Sequence, residues 1–331
     1  MNQFHAAGQY PAGIEHRVSR ADDVDLQAEA LIYRGWNQRY DQLSAGRFAG
    51  SMQEIVLPAF TLIRETCNRV LLQKGSTPEG VFAIGSVISF TEDGYHCGDV
   101  MQARSAALLD PCTEFEIRTP ETFDLVAAVF TPETLCAFVD DPQVDHEDLA
   151  QRLHGSAKTI APEHAGALAD FLLRAFESSV ETPDLLFVPS SLKQFSEEFY
   201  TLLCDTVEAG QRHPRISVCP NRERIVRRFR AFLEACPEAA LSIADICDEV
   251  GVTRRTLQNA TQEVFGISPQ HYLKAIRLNA FRRALKARRP ERESIGDVAA
   301  RWGFWHLSQL AQDYRKLFGE LPSQTPCIHL S

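Results

Sequence analysis

The chain has 331 residues, a formal net charge of −10 and an apolar content of 44%. At about 150 residues per domain, this length predicts two domains. No stretch reaches the ~18 uninterrupted apolar residues of a membrane span, and the N-terminus lacks the apolar core of a signal peptide. Nine cysteines without a Cys-x-x-Cys pair favour reduced thiols over a disulfide framework. We therefore expect a cytoplasmic protein with no membrane partner.

Charge is distributed unevenly along the chain. From Arg222 to the end there are 18 Lys and Arg against 12 Asp and Glu, net +6, whereas residues 1–221 hold 16 against 32, net −16. A basic segment on an acidic body is typical of a polyanion-binding module joined to a part that does not bind polyanions. Uneven solvation of the surface would give the same pattern, so charge alone leaves both interpretations open.

The N-terminal half has the character of a β domain. Its first thirty residues are polar and weakly patterned, and we expect them to be loosely held. Beyond them, short apolar runs rich in β-branched and aromatic residues alternate with Gly, Pro, Asp and Thr, which predicts strands in a small barrel or sandwich. The clearest runs are EIVLPAFTLI, VFAIGSVISF and TFDLVAAVF.

Apolar spacing of three and four residues then predicts two amphipathic helices, over 163–180 and 193–208. We expect them to pack on the β domain, although packing in a dimer would also bury them. The stretch 210–221, with two prolines and a glycine, is the best linker candidate. We therefore predict an α+β chain: a barrel-like or sandwich-like domain with two packed helices over 1–212, then an all-α domain over 213–331.

The C-terminal region contains an internal repeat. The segment IADICDEVG, which starts at Ile243, matches IGDVAARWG, which starts at Ile295. The offset is 52 residues here and 53 beyond, because one residue is inserted in the second turn. Ser268-Pro269 opens a long helix between the two copies. The later matched pairs are Leu257 with Leu310, Phe265 with Phe318, Gly266 with Gly319 and Pro269 with Pro322.

Each copy has the layout of a helix-turn-helix unit. Two helices that cross steeply need a small side chain at the crossing, which is Cys247 in one copy and Ala299 in the other. Four residues later a glycine, Gly251 or Gly303, accepts the positive φ that a sharp exit from the first helix favours. The second helix turns its matched leucine inward and leaves its outer face free for a major groove of DNA.

This arrangement resembles the AraC/XylS family of bacterial transcription regulators over residues 222–325. The strings RRTLQNA and GFWHLSQLAQDYRKLFG, with the helix between the units, carry the resemblance. It implies a sequence-specific DNA-binding regulator and not an enzyme, most simply an activator of a catabolic operon. The implied partners are double-stranded DNA, RNA polymerase and a small-molecule effector, and a homodimer stays open.

The N-terminal half is similar to the sensor of the ethanolamine-utilisation operon regulators. The similarity lies in WNQRYDQLSAGRFAG at 36–50 and TEFEIRTPETF at 113–123. It implies a ligand-sensing or dimerisation domain that responds to a small amine such as ethanolamine, with cobalamin as a co-signal. Other regulators that share these strings could take other ligands, so the effector, operator and target genes stay open.

Polar residues on the two recognition helices are the candidate DNA contacts. In the first helix Thr253 is the natural N-cap, and Arg254 suits a phosphate contact. In the second helix no arginine sits among the outward Ser308, Gln309 and Gln312, so we expect more backbone anchoring and shape recognition there. The alternatives are solvated helix faces and, for His306, a helix cap without DNA contact. The base-edge candidates of the first helix are Arg255, Gln258 and Asn259; the candidates of the second are His306, Ser308, Gln309 and Gln312.

Trp36, Tyr40, Phe48 and Glu54 are the candidate effector ligands. Aromatic residues of this kind are more often core. Four carboxylates are candidates for orienting a cationic effector, although such groups more often lie on the surface: Asp41, Glu54, Glu114 and Glu116.

No catalytic or metal site is predicted. His96 and Cys97 lack the His-x-His cluster with a following carboxylate that a metal-binding barrel needs, and the cysteines are too widely spaced for a zinc site. We find no P-loop, nucleophile elbow or GxGxxG motif. Two alternatives remain: a metal-dependent barrel enzyme fused to a DNA-targeting tail, and a constitutive DNA binder whose N-terminal half only dimerises.

Overall fold

Two units divide the chain in the computed structural model. The first comprises the residues up to Tyr40 together with Phe48–Ile216, and the second comprises Asp41–Arg47 together with Ser217–Ser331. The second unit therefore includes a short segment that the sequence analysis places in the N-terminal domain. Independent folding of residues 1–212 and 213–331 stays a prediction, and positions 214–219 of the proposed linker lie outside the described residues. The structure describes residues 14–327 except 33, 90, 91, 93, 112, 156–158, 185–187, 214–219 and 237–240.

Antiparallel strands form two sheets in the N-terminal half. The described strands are β1 (Glu15–Ala21), β2 (Asn37–Gln42), β3 (Gly50–Val56), β4 (Thr61–Cys67), β5 (Leu71–Ser76), β6 (Phe82–Ser89), β7 (Gly94–His96), β8 (Asp99–Met101), β9 (Ala106–Leu109), β10 (Phe115–Arg118), β11 (Phe123–Phe130) and β12 (Thr159–Ile160). One sheet has the order β1-β3-β4-β11-β6-β9-β12 and the other the order β2-β5-β10-β7-β8. The predicted sandwich-like β domain is confirmed.

The apolar runs become strands as predicted, with one refinement. VFAIGSVISF and TFDLVAAVF form β6 and β11, which pair with each other. EIVLPAFTLI is not one strand but a hairpin that joins β3 to β4, closed by the bond from Leu57 N to Phe60 O at 3.0 Å. Pro58 has no N–H to donate to a ladder, which explains why the strand breaks there.

The expectation of a loosely held N-terminus is wrong from Glu15 onward. Strand β1 pairs along its length with β3, and helix α1 (Val24–Ile32) follows it. Val24, Ala28 and Leu31 are buried on the inner face of α1. An edge strand is paired on one side only and a short helix contributes few buried positions, so neither leaves a strong periodic pattern in the sequence.

Helices α4 (Pro162–Glu181) and α5 (Pro189–Arg212) confirm the two predicted amphipathic helices. They pack together and on the larger sheet, where Phe171 of α4 lies 6.2 Å from Phe199 of α5 between ring centroids. Burying side chains of this size contributes about 1.5–3 kcal/mol each. The short helices α2 (Pro132–Cys136) and α3 (His146–Leu153) lie between β11 and β12 in the chain.

Helices make up the second unit. They are α6 (Pro220–Ala235), α7 (Ile243–Val250), α8 (Arg254–Phe265), α9 (Pro269–Ala287), α10 (Ile295–Arg301) and α11 (Leu307–Phe318), followed by a 3-10 turn (Pro322–Gln324). Ser268 caps α9, and Pro269 stands at its first turn, as predicted. The second unit has the two helix pairs joined by the long helix α9 that the repeat predicts. Together with the β sheets of the first unit, these helices confirm the predicted α+β fold class. Within the part of the chain that the structure describes, no helix has both the length and the apolar character needed to cross a membrane.

Candidate nucleic-acid interface and sensor cavity

The first helix-turn-helix unit consists of α7, a three-residue turn and α8. Ser242 and Asp245 form a capping box at the start of α7. Gly251 ends that helix in the left-handed region, with φ of 71°. The N–H of Val252 then donates to the Cys247 carbonyl at 3.0 Å, and Thr253 caps α8 by accepting from the N–H of Thr256. The turn is thus fixed by glycine, by backbone bonds and by a side-chain cap.

The second helix-turn-helix unit repeats the capping box and the backbone bond of the turn, but not the side-chain cap of the recognition helix. Ser294 and Asp297 form the matching capping box of α10. Gly303 has φ of 75°, and the N–H of Phe304 donates to the Ala299 carbonyl at 2.9 Å. The small residues predicted at the helix crossing, Cys247 and Ala299, are both buried. The repeat in the sequence is therefore a repeat of backbone geometry.

The candidate contacts of the first recognition helix lie together on the exposed face of α8. Arg254, Arg255, Gln258 and Asn259 are exposed, whereas Leu257 is fully buried. Neither arginine takes part in a hydrogen bond or ion pair with any of the described residues. Both guanidinium groups are therefore available to a phosphate or a guanine.

The candidate contacts of the second recognition helix are exposed as well. Ser308, Gln309 and Gln312 lie on the open face of α11, with Leu310 buried behind them. His306 is the N-cap of α11, but its side chain makes no capping hydrogen bond. Its imidazole is therefore free of the capping role that competes with a phosphate contact.

Residues Asp41–Arg47, which we call the clip, belong to the same unit as these helices. The buried amide of Asn279 on α9 accepts from the N–H of Gln42 at 2.9 Å and donates to the Gln42 carbonyl at 2.9 Å. One side chain thus satisfies both backbone groups of Gln42, as a neighbouring strand would.

The clip also closes the end of the second recognition helix. Gln42 Nε2 donates to the Leu317 carbonyl at 2.6 Å, and Gly46 N donates to the carbonyls of Lys316 and Leu317 at 3.1 and 3.0 Å. These carbonyls lie in the last turn of α11, where helix carbonyls lack partners within the helix. The clip supplies those partners.

Asp41 has a structural partner within the same unit. Its Oδ1 lies 2.5 Å from Arg283 Nη2, and its side chain is almost fully buried. From the sequence, Asp41 is expected either to orient a cationic effector or to lie on the surface. The structure contradicts the surface position and pairs the carboxylate with α9.

A cavity of about 60 Å³, which we call the inner cavity, lies among the strands of the first unit. Trp36 and Tyr40, two of the candidate effector ligands, line it, and so do Gln38, Glu65 and Gln73. Gln27 Nε2 and Gln73 Nε2 donate to Glu65 Oε1 at 3.2 and 3.0 Å. The wall is otherwise mainly apolar, so a bound molecule would meet a few fixed polar groups.

Glu65 is the acidic centre of the inner cavity. Burial raises its pKa to about 7, and the donors from Gln27, Gln73 and Tyr40 oppose that rise. The Tyr40 hydroxyl donates to Gln38 Oε1 at 3.0 Å, while Gln38 Nε2 is buried without a hydrogen-bond partner among the described residues. The cavity therefore combines a carboxyl group that titrates near neutral pH with a donor that lacks an acceptor.

A second pocket of about 240 Å³, the outer pocket, shares Trp36 with the inner cavity. Glu54 lines it, and Glu54 Oε1 lies 3.7 Å from Arg34 Nε. Phe48 is not among the residues that line either cavity. It packs against Gly50 instead, where a Cβ atom would come within 2.7 Å of the Phe48 ring.

The metal candidates weighed in the sequence do not meet. His96 is buried with its Nδ1 3.0 Å from Thr159 Oγ1, and Cys97 is half-buried. Within the described ranges, no group of three or more His, Cys, Asp or Glu is placed to hold a metal ion.

Sequence reasoning missed Glu65 and the clip. Glu65 alternates with Ile63 and Cys67, which are buried on the same face of β4, so the period of two points to an inward carboxylate. The clip has no comparable signal, since Gln42 and Asn279 are 237 positions apart.

Comparison with known proteins agrees with the repeat. Residues 246–326 match a family model described as a helix-turn-helix domain. The probable thc operon regulatory protein of Rhodococcus erythropolis is 37% identical over 100 residues, 30% of this chain and 30% of that protein. The XylDLEGF operon transcriptional activator 2 of Pseudomonas putida is 31% identical over 110 residues, 33% of this chain and 68% of that protein.

The solved structure of the AraC-like transcriptional activator CuxR is similar over 72% of this chain and 81% of its own, with 15% identity and a TM-score of 0.39. The family model matches the C-terminal part of the chain, and the match to the thc operon relative covers less than a third of that protein's length.

Proposed function

Because the chain belongs to the AraC/XylS family of DNA-binding transcription regulators, we propose that it activates an operon from a specific DNA site. Both recognition helices would enter the major groove, in successive turns ~34 Å apart on one face of the duplex. The observation that carries this proposal is the repeated turn geometry, which leaves the polar faces of α8 and α11 exposed. DNA and RNA polymerase are the proposed partners, in the cytoplasm.

The two helices would divide the work of recognition. Arg255, Gln258 and Asn259 have the donors and acceptors for bidentate contacts with guanine and adenine. Arg254, at the first position of α8, suits a phosphate. Ser308, Gln309 and Gln312 would add further polar contacts, and His306 a contact with the backbone.

The effector would be a small amine bound in the inner cavity. Glu65 supplies a carboxylate for an ammonium group, and Gln38 Nε2 supplies a donor for a neighbouring oxygen. Ethanolamine has both groups, and the similarity to the ethanolamine-operon branch suggests the same ligand, with cobalamin as co-signal. Trp36 and Tyr40 would hold its carbon atoms, and Glu54 would belong to the outer pocket.

Strand β2 would connect the effector to the DNA-binding unit. It contains Gln38 and Tyr40 of the inner cavity and continues into Asp41 and Gln42 of the clip. An effector that shifts the first part of this strand would move the clip, and with it the end of α11. A homodimer would add a second set of recognition helices but is not required for this mechanism.

Calorimetry of the full chain with ethanolamine, with and without cobalamin, tests the effector. An ammonium ion beside Glu65 favours the carboxylate, so binding near pH 7 should release a proton, and the measured heat should depend on the buffer. Glu65→Gln should remove both the binding and the proton release. Heat with carboxylic or aromatic acids but none with amines would make the amine assignment wrong. Indifference to every metabolite would favour a constitutive binder.

Genome-wide mapping of binding sites tests the regulatory role. The operon beside the strongest site should encode enzymes that act on the effector. A map with no enriched site would contradict the proposed function as a whole.

A further inference from the structure

Two large apolar side chains are exposed at the start of the second recognition helix. Trp305 is 73% exposed and Leu307 is 52% exposed. Among the described residues of the second unit, they are the large apolar side chains that lie this open to solvent. Leaving an indole and an isobutyl group in water forgoes the free energy that their burial would release.

The first helix-turn-helix unit, whose residues 242–265 the structure describes throughout, has no such apolar pair. The offset of 53 residues that matches Leu257 to Leu310 also matches Arg254 to Leu307. Each of the latter two is the first residue of its recognition helix. Trp305 is the extra residue of the longer turn. At the start of the recognition helix, the first helix-turn-helix unit therefore has a cation and the second has an apolar surface.

This difference changes the DNA groups that the helix start can bind. An arginine at the first position suits a phosphate, which carries no sequence information. Leucine cannot bind phosphate, and tryptophan offers it only one uncharged indole N–H, but the major groove has one apolar group at base edges, the C5-methyl of thymine. Ser308 and Gln309 follow directly on α11 and are exposed, so the apolar pair adjoins the face proposed to meet base edges.

We propose that Trp305 and Leu307 form an apolar DNA contact. It selects thymine by its methyl group in the half of the site that the second helix-turn-helix unit binds. This inference rests on the proposed DNA-binding function. It assigns base selection through apolar contact to the recognition helix whose candidate contacts include no arginine.

The test uses the full chain and a duplex selected from a random pool by the wild-type protein. Thymines in the second half are replaced by deoxyuridine, which removes only the methyl groups. Wild-type binding should weaken about three- to fivefold per contacted thymine, the loss expected for one buried methyl group. Leu307→Ala or Trp305→Ala should weaken binding by a similar factor and should abolish the difference between thymine and deoxyuridine.

Two control variants separate the causes. Val180→Ala removes an exposed apolar side chain from α4, outside the DNA-binding unit. It should leave the affinities for the thymine and the deoxyuridine duplex unchanged. Arg254→Ala should reduce the slope of log affinity against log salt by about one, whereas the Trp305 and Leu307 variants should keep the wild-type slope.

Several results would overturn the inference. They are a selected second half without thymine, unchanged discrimination in both variants, or normal DNA binding with loss of transcription in a purified polymerase assay. The last result would assign the apolar pair to a protein partner. Failure of the wild-type chain to select any duplex would instead contradict the proposed DNA binding itself.

Discussion

Glu65 is a buried acid whose protonation is linked to the stability of the first unit. Its pKa is about 7 in the folded chain, against 4.5 for the ordinary group. The folded state therefore holds a proton between these values that the unfolded state has lost, and the unfolding free energy falls as pH rises through this window. At about 1.4 kcal/mol per pKa unit, the loss is on the order of 3 kcal/mol.

Glu65→Gln should remove this pH dependence. The variant should gain stability over the wild type as pH rises from 5 to 8, because glutamine never has to ionise in the cavity. Thermal melts at both pH values measure the gain, and Glu79→Gln, at an exposed position, is the matched control. An equal gain at pH 5 and pH 8 would show that Glu65 ionises normally in the folded chain.

Cys247 lies at the crossing of α7 and α8, with 9% of its surface exposed. Cys247→Ala should change stability and DNA binding little, because it removes one atom and the matching position of the second copy already has an alanine, Ala299. Cys247→Phe should overpack the crossing by about 1–3 kcal/mol and abolish DNA binding. Unfolding curves and a DNA-binding assay measure both effects. A phenylalanine variant that binds its operator normally would contradict the crossing assigned here.

Some of the residues at these sites could be predicted from the sequence, and others could not. The glycines at the two turns and the small residues at the crossings follow from local geometry, so they could be predicted. Gln38 and Phe48 could not be separated in the same way, because polarity and aromatic character do not tell which strand positions line a cavity. That depends on which strands face each other.

At the scale of elements, the clip is the feature with the clearest energetic consequence. Asn279→Ala would leave the N–H and carbonyl of Gln42 without their partners in a buried position. An unsatisfied buried group costs about 1–3 kcal/mol, so the second unit should lose stability by that order. Hydrogen exchange should show the Gln42 and Gly46 amides losing protection.

Asn259→Ala is the matched control for this variant. Asn259 lies on the exposed face of α8, so its removal should weaken DNA binding without changing the exchange of those amides. Unchanged protection in Asn279→Ala would show that the clip is held by its other bonds. The sequence could not predict the clip, because side chain-to-backbone pairing over such a distance leaves no periodic signal.

The two helix-turn-helix units should contribute unequally to base recognition. Arg255→Ala or Gln258→Ala should weaken binding to the true site by about 1–3 kcal/mol and relax preference at one base pair. Gln312→Ala should cost less, because no arginine lies among Ser308, Gln309 and Gln312, the candidate contacts of its helix. Affinities for single-base variants of the site measure both effects, and equal losses of preference from the two helices would contradict the asymmetry.

For the molecule as a whole, the sequence predicts which parts are β and which are helical, but not which distant segments contact each other. The change from period two to period three or four separates the β part from the helical part, and the repeat identifies the DNA-binding unit. The assignment of residues 41–47 to that unit changes what a truncation would test. A fragment of residues 217–331 lacks the clip, so it should bind DNA with steep salt dependence but melt at a lower temperature than the same unit in the full chain.

The proposed function requires that one chain places two recognition helices in successive major grooves. Hydroxyl-radical footprinting of the full chain on its selected duplex tests this directly. We predict two protected patches on the same face of the DNA, separated by about one helical turn of 10–10.5 base pairs. Arg255→Ala should weaken one patch and Gln312→Ala the other. A single patch that both variants weaken equally would contradict the account.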